Sequence, residues 1–265
     1  MTLNLIMYDL HSHILPGVDD GPKTMKDALK MAAVADEQGT SMMLCTPHRR
    51  DVTENSSVKQ VEQLLGTFKA EINHIGLGLD LVLGMENHID VDLPDEVAAG
   101  RALPMNGGHY MLVEMPFFGN PNYVEDVLFQ LQIQGIKPVL AHPERIEAVQ
   151  QDPEILAKLI ERGMVSQITG GSILGYFGRD VKHLTHSLLR RGMAHIIASD
   201  THFATGPRSP DLSHCVSAAA EIVGEDRARA MVVANPRAVL NDIPIELEPV
   251  CEDPEPRRWW QLFKH

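Results

Sequence analysis

Cysteine is scarce. Cys45, Cys215 and Cys251 are the only three in 265 residues, too few and too scattered for a disulfide framework or a four-thiolate zinc site, so a reducing, cytoplasmic setting is expected. Long apolar runs are missing too. None approaches the roughly 20 residues needed to cross a bilayer, and the opening MTLNLIMYDL has no charged stretch followed by a cleavable apolar one. The expectation is a soluble, unsecreted protein without a transmembrane segment. Positive charge is also short: 23 basic against 36 acidic residues give a formal charge of −13. That argues against nucleic acid as a general partner, because backbone binding requires Lys and Arg to neutralise phosphates. A local basic pocket is compatible with it. No Gly-x-x-x-x-Gly-Lys-Ser/Thr phosphate loop occurs. Thiol-based phosphatase chemistry finds no support either. Cys45 stands one residue too close to Arg50 for a Cys-x5-Arg cradle. Cys251 and Arg257 have that spacing, but two prolines between them remove N–H donors and three acidic residues repel phosphate.

Histidine, by contrast, is abundant, with 13 residues. Short apolar runs predict seven strands, at 5–10, 41–45, 79–83, 110–114, 138–141, 165–169 and 195–199. Helical periodicity with sensible ends lies between them: Thr24 caps a helix that Gly39 stops, Pro153 starts one, and Gly135, Gly163 and Gly192 end others. Strands that are nearly continuously apolar and alternate with helices indicate a parallel sheet covered by helices. The fold class is therefore α/β. Seven such units suggest a (β/α)7 TIM-like barrel in a single domain over residues 1–242, with a doubly wound open sheet as the competing architecture. Residues 243–265 differ in character: a Pro-rich, charged stretch precedes Trp259, Trp260, Leu262 and Phe263. A dense apolar cluster of this kind suggests docking on the barrel or self-association with a second copy. An interfacial membrane anchor flanked by Arg257, Arg258 and Lys264 is the alternative.

Six of the seven predicted strands end in residues able to bind metal: His11 and His13, His48, Glu86, Glu114, His142, then Asp200 and His202. In a parallel barrel these ends converge on one face. His-x-His matters because residues two apart on a strand point the same way and can hold one ion; Asp200 and His202 repeat the spacing. Asp19-Asp20-Gly21 follows the first pair on a turn. Asp20 is expected to complete the cluster, whereas Asp19 reads equally well as a turn former. Nine ligands exceed the needs of one ion, and bridging carboxylates suggest two or three metals that activate water and clamp a phosphoryl group. Donors that are all nitrogen or oxygen suit Mn, Fe or Zn. Arg145 and Arg208 follow the ligands closely and are expected to bind phosphate, with Arg49 and Arg50 extending the positive rim. The Gly170-Gly171-Ser172 turn offers substrate access or backbone amides. His74, His183, His186, His195, His214 and His265 read as structural or solvated; His88 lies near the mouth, and His109 at the opposite end.

These residues resemble the polymerase-and-histidinol-phosphatase superfamily, and within it the bacterial metal-dependent protein-tyrosine phosphatases of capsule and exopolysaccharide synthesis. The matching words are Asp9-Leu-His-Ser-His-Ile-Leu-Pro-Gly-Val-Asp-Asp-Gly, Thr46-Pro-His-Arg, Leu112-Val-Glu-Met-Pro, Ala141-His-Pro-Glu-Arg, Gln167-Ile-Thr-Gly-Gly-Ser and Ala198-Ser-Asp-Thr-His, in order over residues 8–242. The Val-Asp-Asp-Gly extension selects this branch over histidinol phosphatases. The resemblance implies a distorted seven-stranded barrel, three divalent ions usually supplied as Mn2+, and removal of phosphate from tyrosine on a partner kinase by metal-activated hydroxide. It carries His11, His13, Asp20, His48, Glu86, Glu114, His142, Asp200 and His202 over as ligands, and Arg145 and Arg208 as phosphate binders; Asp20 is a candidate for assisting the phenol's departure. Asn87-His88 departs from the usual continuation after Glu86. The alternatives are a histidinol-phosphate-type or polynucleotide phosphoesterase and, outside enzymes, a silent metal-binding interaction module.

Overall fold

A computed structural model describes residues 6–253. The predicted cluster at Trp259, Trp260, Leu262 and Phe263 lies outside the described residues.

Among the described residues eight strands form: β1 (Met7–Ser12), β2 (Thr40–Cys45), β3 (Asp80–Leu83), β4 (Asn87–His88), β5 (Tyr110–Glu114), β6 (Lys137–Ala141), β7 (Val165–Thr169) and β8 (Ile196–Ala198). All neighbours pair in parallel, in two sheets ordered β1-β2-β3 and β4-β5-β6-β7-β8. The result is a mixed α/β domain in which helices join successive strands, as parallel connections usually require, except between β3 and β4.

The extra strand arises where the third predicted strand changes partners. Residues 80–83 pair with β2; Gly84 N then donates to Cys45 O (2.9 Å) and Glu86 N to Pro47 O (3.2 Å), and residues 87–88 pair with β5. Glycine permits this passage: a Cβ at Gly84 would lie 3.3 Å from Leu44 Cδ1 and 3.4 Å from the Met105 backbone. The apolar run 79–83 signalled the first half only, because Asn87 and His88 carry no strand pattern. At the other flank, Asp200 N donates to His11 O and His13 N to Thr201 O, both at 2.9 Å, so the C-terminal ends of β1 and β8 meet. β1 also runs two residues past its predicted end. Its polar continuation is tied down, Ser12 N donating to Thr46 Oγ1 (3.0 Å) and Ser12 Oγ to Leu44 O (2.8 Å).

Period-two alternation divides the core. Leu10, Leu44, Leu112, Val139, Val165 and Ile196 pack together on the inner side, while Met43 and Cys45 face Phe68 and Ile72 of the helix Val58–His74, and Met111, Val113, Leu140 and Ile168 pack with Leu128 and Leu131 of the helix Tyr123–Ile133. The inner face of β5 thus reads Tyr110, Leu112, Glu114, and that of β7 Val165, Gln167, Thr169. Apolar filling gives way to polar groups toward the C-terminal ends. Residues 243–250 run beneath the opposite ends: Tyr110 Oη donates to Ile243 O (3.1 Å) and accepts from Ile245 N (3.2 Å), and Leu247 and Val250 pack against the core.

Candidate metal centre

Seven of the nine predicted ligands are buried; His48 is partly exposed and Asp20 exposed. Their donor atoms form overlapping groups, each within 4.8 Å: His13, Asp20, His48 and His202; His11, Glu86 and His142; His11, His13 and Asp200; and His48, Glu86 and Glu114. All nine therefore come together.

The groups behind the histidines set which nitrogen faces inward. Gln167 Oε1 lies 2.9 Å from His11 Nδ1, Asp19 Oδ2 lies 2.7 Å from His13 Nδ1, and the Asp200 carbonyl lies 3.0 Å from His202 Nδ1. Each is an acceptor, so each Nδ1 carries a proton and each Nε2 is the nitrogen aimed at the cluster, the arrangement that orients imidazole toward a metal. His11 Nε2 and His13 Nε2 stand only 3.2 Å apart. A cation bound here would relieve the close approach of these two nitrogens. This donor set fits a divalent ion. Glu86 is the hub, with oxygens 3.3 Å from His11 Nε2, 3.4 Å from His13 Nε2, 3.0 Å from His48 Nδ1 and 3.0 Å from His142 Nε2. Glu114 reaches His142 at 3.6 Å and Asp20 reaches His202 at 3.0 Å.

The electrostatics follow from this packing. Burial by itself would raise the Glu86 carboxyl, but His11, His13 and His142 hold it well below the usual range. Asp200 is likewise lowered against burial, by His11 and Arg208. Asp20 is lowered chiefly by His202 and His48. Burial opposes protonation of His13 and His48, yet the carboxylates around them win and raise the two to about 9 and about 11. In the metal-free protein, protons thus hold part of the charge that cations would replace. His142 (φ 33°) and Asp200 (φ 51°) adopt left-handed backbone at the strand ends, a cost of about 1–3 kcal/mol each that folded surroundings must offset.

The predicted arginines divide. Arg145 Nη1 contacts Asp200 Oδ2 at 2.6 Å and Arg208 Nη2 contacts Asp200 Oδ1 at 2.8 Å, at the edge of the cluster. Arg49 does not join them: it is buried and donates to Asp90 Oδ2 (2.6 Å), with Glu96 4.0 Å away. Arg50 also contacts Asp90, at 3.2 Å. Carboxylates next to Arg49 thus compensate its charge, and its contacts lie apart from those of Arg145 and Arg208. His88 lies 3.4 Å from Glu114, and His109 is exposed at the far end.

Three supporting residues escaped the sequence reading. Gln167 orients His11. Asp19 does more than shape a turn, since it holds His13 and accepts from Gly21 N (3.0 Å) and His48 N (3.3 Å). Asp9 is fully buried and accepts from Ser199 N (3.0 Å) and Ser199 Oγ, tying β1 to the Asp200 loop; burial pushes its carboxyl up to about 6. Inward alternation on β7 was the available signal for Gln167; nothing local marks Asp9. Cys45 and Cys215 are buried, which raises both thiols, Cys215 to about 12.

A family model described as "Capsular polysaccharide synthesis, CpsB/CapC" matches residues 7–241. The chain is 34% identical over 196 residues to the tyrosine-protein phosphatase YwqE of Bacillus subtilis, covering 74% of this chain and 77% of that one. It is 26% identical over 241 residues to the tyrosine-protein phosphatase CpsB of Streptococcus pneumoniae, covering 89% and 99%. A solved structure from work on YwqE and CpsB, described there as unique metal-dependent tyrosine phosphatases, superposes with a TM-score of 0.85 at 30% identity, covering 93% of this chain and 99% of that one. With a family match spanning nearly all of the described body, the chain belongs to the CpsB/CapC family of capsular polysaccharide synthesis.

Proposed function

We propose that the strand-end cluster is the hydrolytic centre of this chain and that it removes phosphate from tyrosine on a partner kinase. The chain is a metal-dependent protein-tyrosine phosphatase by its family and its relatives; the residues, the ions and the partner are the parts we add. The observation that carries the reading is Glu86, whose two oxygens are shared among four histidines in a buried, all-nitrogen-and-oxygen donor set.

Our ligand assignment is His11, His13, Asp20, His48, Glu86, Glu114, His142, Asp200 and His202, holding three divalent ions. Manganese is favoured by the family resemblance, with iron or zinc compatible with the donors. When bound, such ions supply a nucleophile from water at neutral pH and offset charge on phosphoryl oxygens. Arg145 and Arg208 bind the phosphoryl oxygens, for which a guanidinium fork is suited; Asp200 holds both arginines in place before substrate arrives. Asp19 and Gln167 keep His13 and His11 in the tautomer whose Nε2 faces the site. The departing phenol, with a pKa of about 10, needs little acid assistance; Asp20, held ionised by His202 and His48, serves as a ligand rather than as a proton donor. We further propose that the two sheets are a distorted seven-stranded barrel, 80–88 counting as one interrupted strand; the bonds at 84–86 and between β1 and β8 support this.

The test compares phosphotyrosine peptide, histidinol phosphate and single-stranded DNA after chelation and Mn2+ re-addition. Metal-restored activity that prefers the peptide is expected. Preference for histidinol phosphate would overturn the substrate assignment, and activity that survives chelation but is lost in Cys251→Ser would overturn the metal centre.

A further inference from the structure

Four aromatic side chains are more than half exposed among the described residues: Phe118 (83%), Phe129 (55%), Tyr176 (53%) and Phe203 (57%). Phe129 lies on the helix Tyr123–Ile133. Phe118 and Phe203 sit on the loops that follow β5 and β8, and Tyr176 on the turn after the helix Gly170–Leu174 that follows β7, beyond the strand ends where the ligands gather. Each is also the chain neighbour of a residue that touches the site. Phe118 follows Phe117, whose ring stacks on His142 with centroids 5.5 Å apart and planes 20° apart. Tyr176 precedes Phe177, whose ring lies 4.6 Å from the Arg145 guanidinium, with Phe117 at 5.3 Å from the same group. Phe203 follows His202, the two rings 6.3 Å apart. An inner pair, Phe117 and Phe177, therefore braces Arg145, and an outer set of rings is left in water around it.

Local geometry holds the Tyr176 loop in this position. A Cβ added at Gly171 would fall 3.1 Å from Phe177 Cε2, 3.2 Å from Tyr176 Cδ2 and 3.0 Å from the Pro207 carbonyl oxygen. The bare backbone there lets both rings lie close over the helix Gly170–Leu174. Large rings kept in water on three separate segments, each next in the chain to a residue that touches the site, offer apolar contact area on the side where the ligands gather.

We infer that Phe118, Tyr176 and Phe203 form a collar that receives the substrate's phenyl ring and the residues beside it, selecting phosphotyrosine within a polypeptide. The inference rests on the phosphotyrosine reading above. Phosphotyrosine carries its phosphate at the end of a rigid ring. With the phosphoryl group at Arg145 and Arg208, the ring crosses the mouth and the peptide backbone lies just outside. Ring edges and faces are favourable partners for another ring and for flanking apolar side chains. A small alkyl phosphate reaches the same arginines with nothing to fill the collar.

The experiment uses the full chain loaded with Mn2+, with Phe118→Ala, Tyr176→Ala and Phe203→Ala singly and combined. The triple variant is expected to raise KM for a phosphotyrosine peptide roughly tenfold, with kcat, the inhibition constant of inorganic phosphate, bound metal and melting temperature unchanged. Phe118→Tyr and Phe203→Tyr are expected to stay near the parent. An unchanged peptide KM in the triple variant overturns the collar. A parallel loss of phosphate affinity also overturns it, since the rings would then only support the centre. A change in oligomeric state with KM unchanged assigns the rings to self-association instead. If the parent protein hydrolyses another ester but not the peptide, the phosphotyrosine reading itself fails.

Discussion

The two ends of the parallel strands use histidine in opposite ways. At the C-terminal ends, His11, His13, His48, His142 and His202 each face a carboxylate oxygen at 3.3 Å or less, and four of the five share Glu86. At the N-terminal ends, among the described residues, His109 is exposed and pairs with Asp242 alone, and His195 is buried with Nδ1 accepting from Ser166 N (3.0 Å) and no partner for Nε2. Residue type is the same at both ends. What differs is the convergence of several chain segments on one point, and only convergence makes a cation site; an isolated histidine buried without carboxylates simply stays neutral.

The contrast breaks most visibly at Glu86. Glu86→Gln removes the charge shared by four histidines, and we expect loss of bound metal and a roughly 10²–10³-fold fall in turnover of phosphotyrosine peptide. Asp242→Asn, at the other end, is expected to leave turnover within about twofold, because an exposed pair contributes only about 0–1 kcal/mol. Metal content by elemental analysis alongside kinetics reads both variants. Equal losses would show that the two ends are not functionally distinct.

Asp19→Asn sharpens the comparison within the cluster. The amide can still hold His13 through its oxygen but lacks the charge, so metal affinity should fall by about 10–100-fold, read by competition with a chelator. Unchanged affinity would return Asp19 to the role of a turn former.

The smallest effect belongs to His195. Burial, with Arg227 nearby, lowers it to about 4 from an ordinary 6.5. Between those values the unfolded chain binds the proton and the folded protein does not, so stability is full above about 6.5 and falls as pH drops toward 4. The contribution is at most a few kcal/mol. Melting temperatures of the metal-free protein and His195→Gln across pH 4–7 should show a shallower decline for the variant; parallel curves would remove His195 from the account.

Much of the site was legible because its residues sit in short words at strand ends. His-x-His, Thr-Pro-His and His-Pro-Glu-Arg combine a strand's period of two with a turn, and the direction of a parallel sheet brings such ends to one face. The partners of Arg49 could not be read locally, since Asp90 and Glu96 lie 41 and 47 residues further on. The hand-over from β3 to β4 was hidden for a related reason: two residues paired across Asn87 and His88 have no period to reveal them. Asp19 stood in plain view, but a turn explained it locally, and its bond to His13 depends on how the loop folds back.

By itself, the order of residues determined the α/β class, the inner and outer faces of the strands and the nine donors able to gather at one end, because these depend on local periodicity and on chain direction. Tertiary structure decided the rest. It brought Gln167 to His11, Asp9 to Ser199 and Phe177 to Arg145, contacts between residues 156, 190 and 32 positions apart in sequence. It also turned Arg49 away while keeping Arg145 at the cluster. Such pairings are settled by which side chains the packed core leaves within reach, a long-range condition that no local pattern encodes.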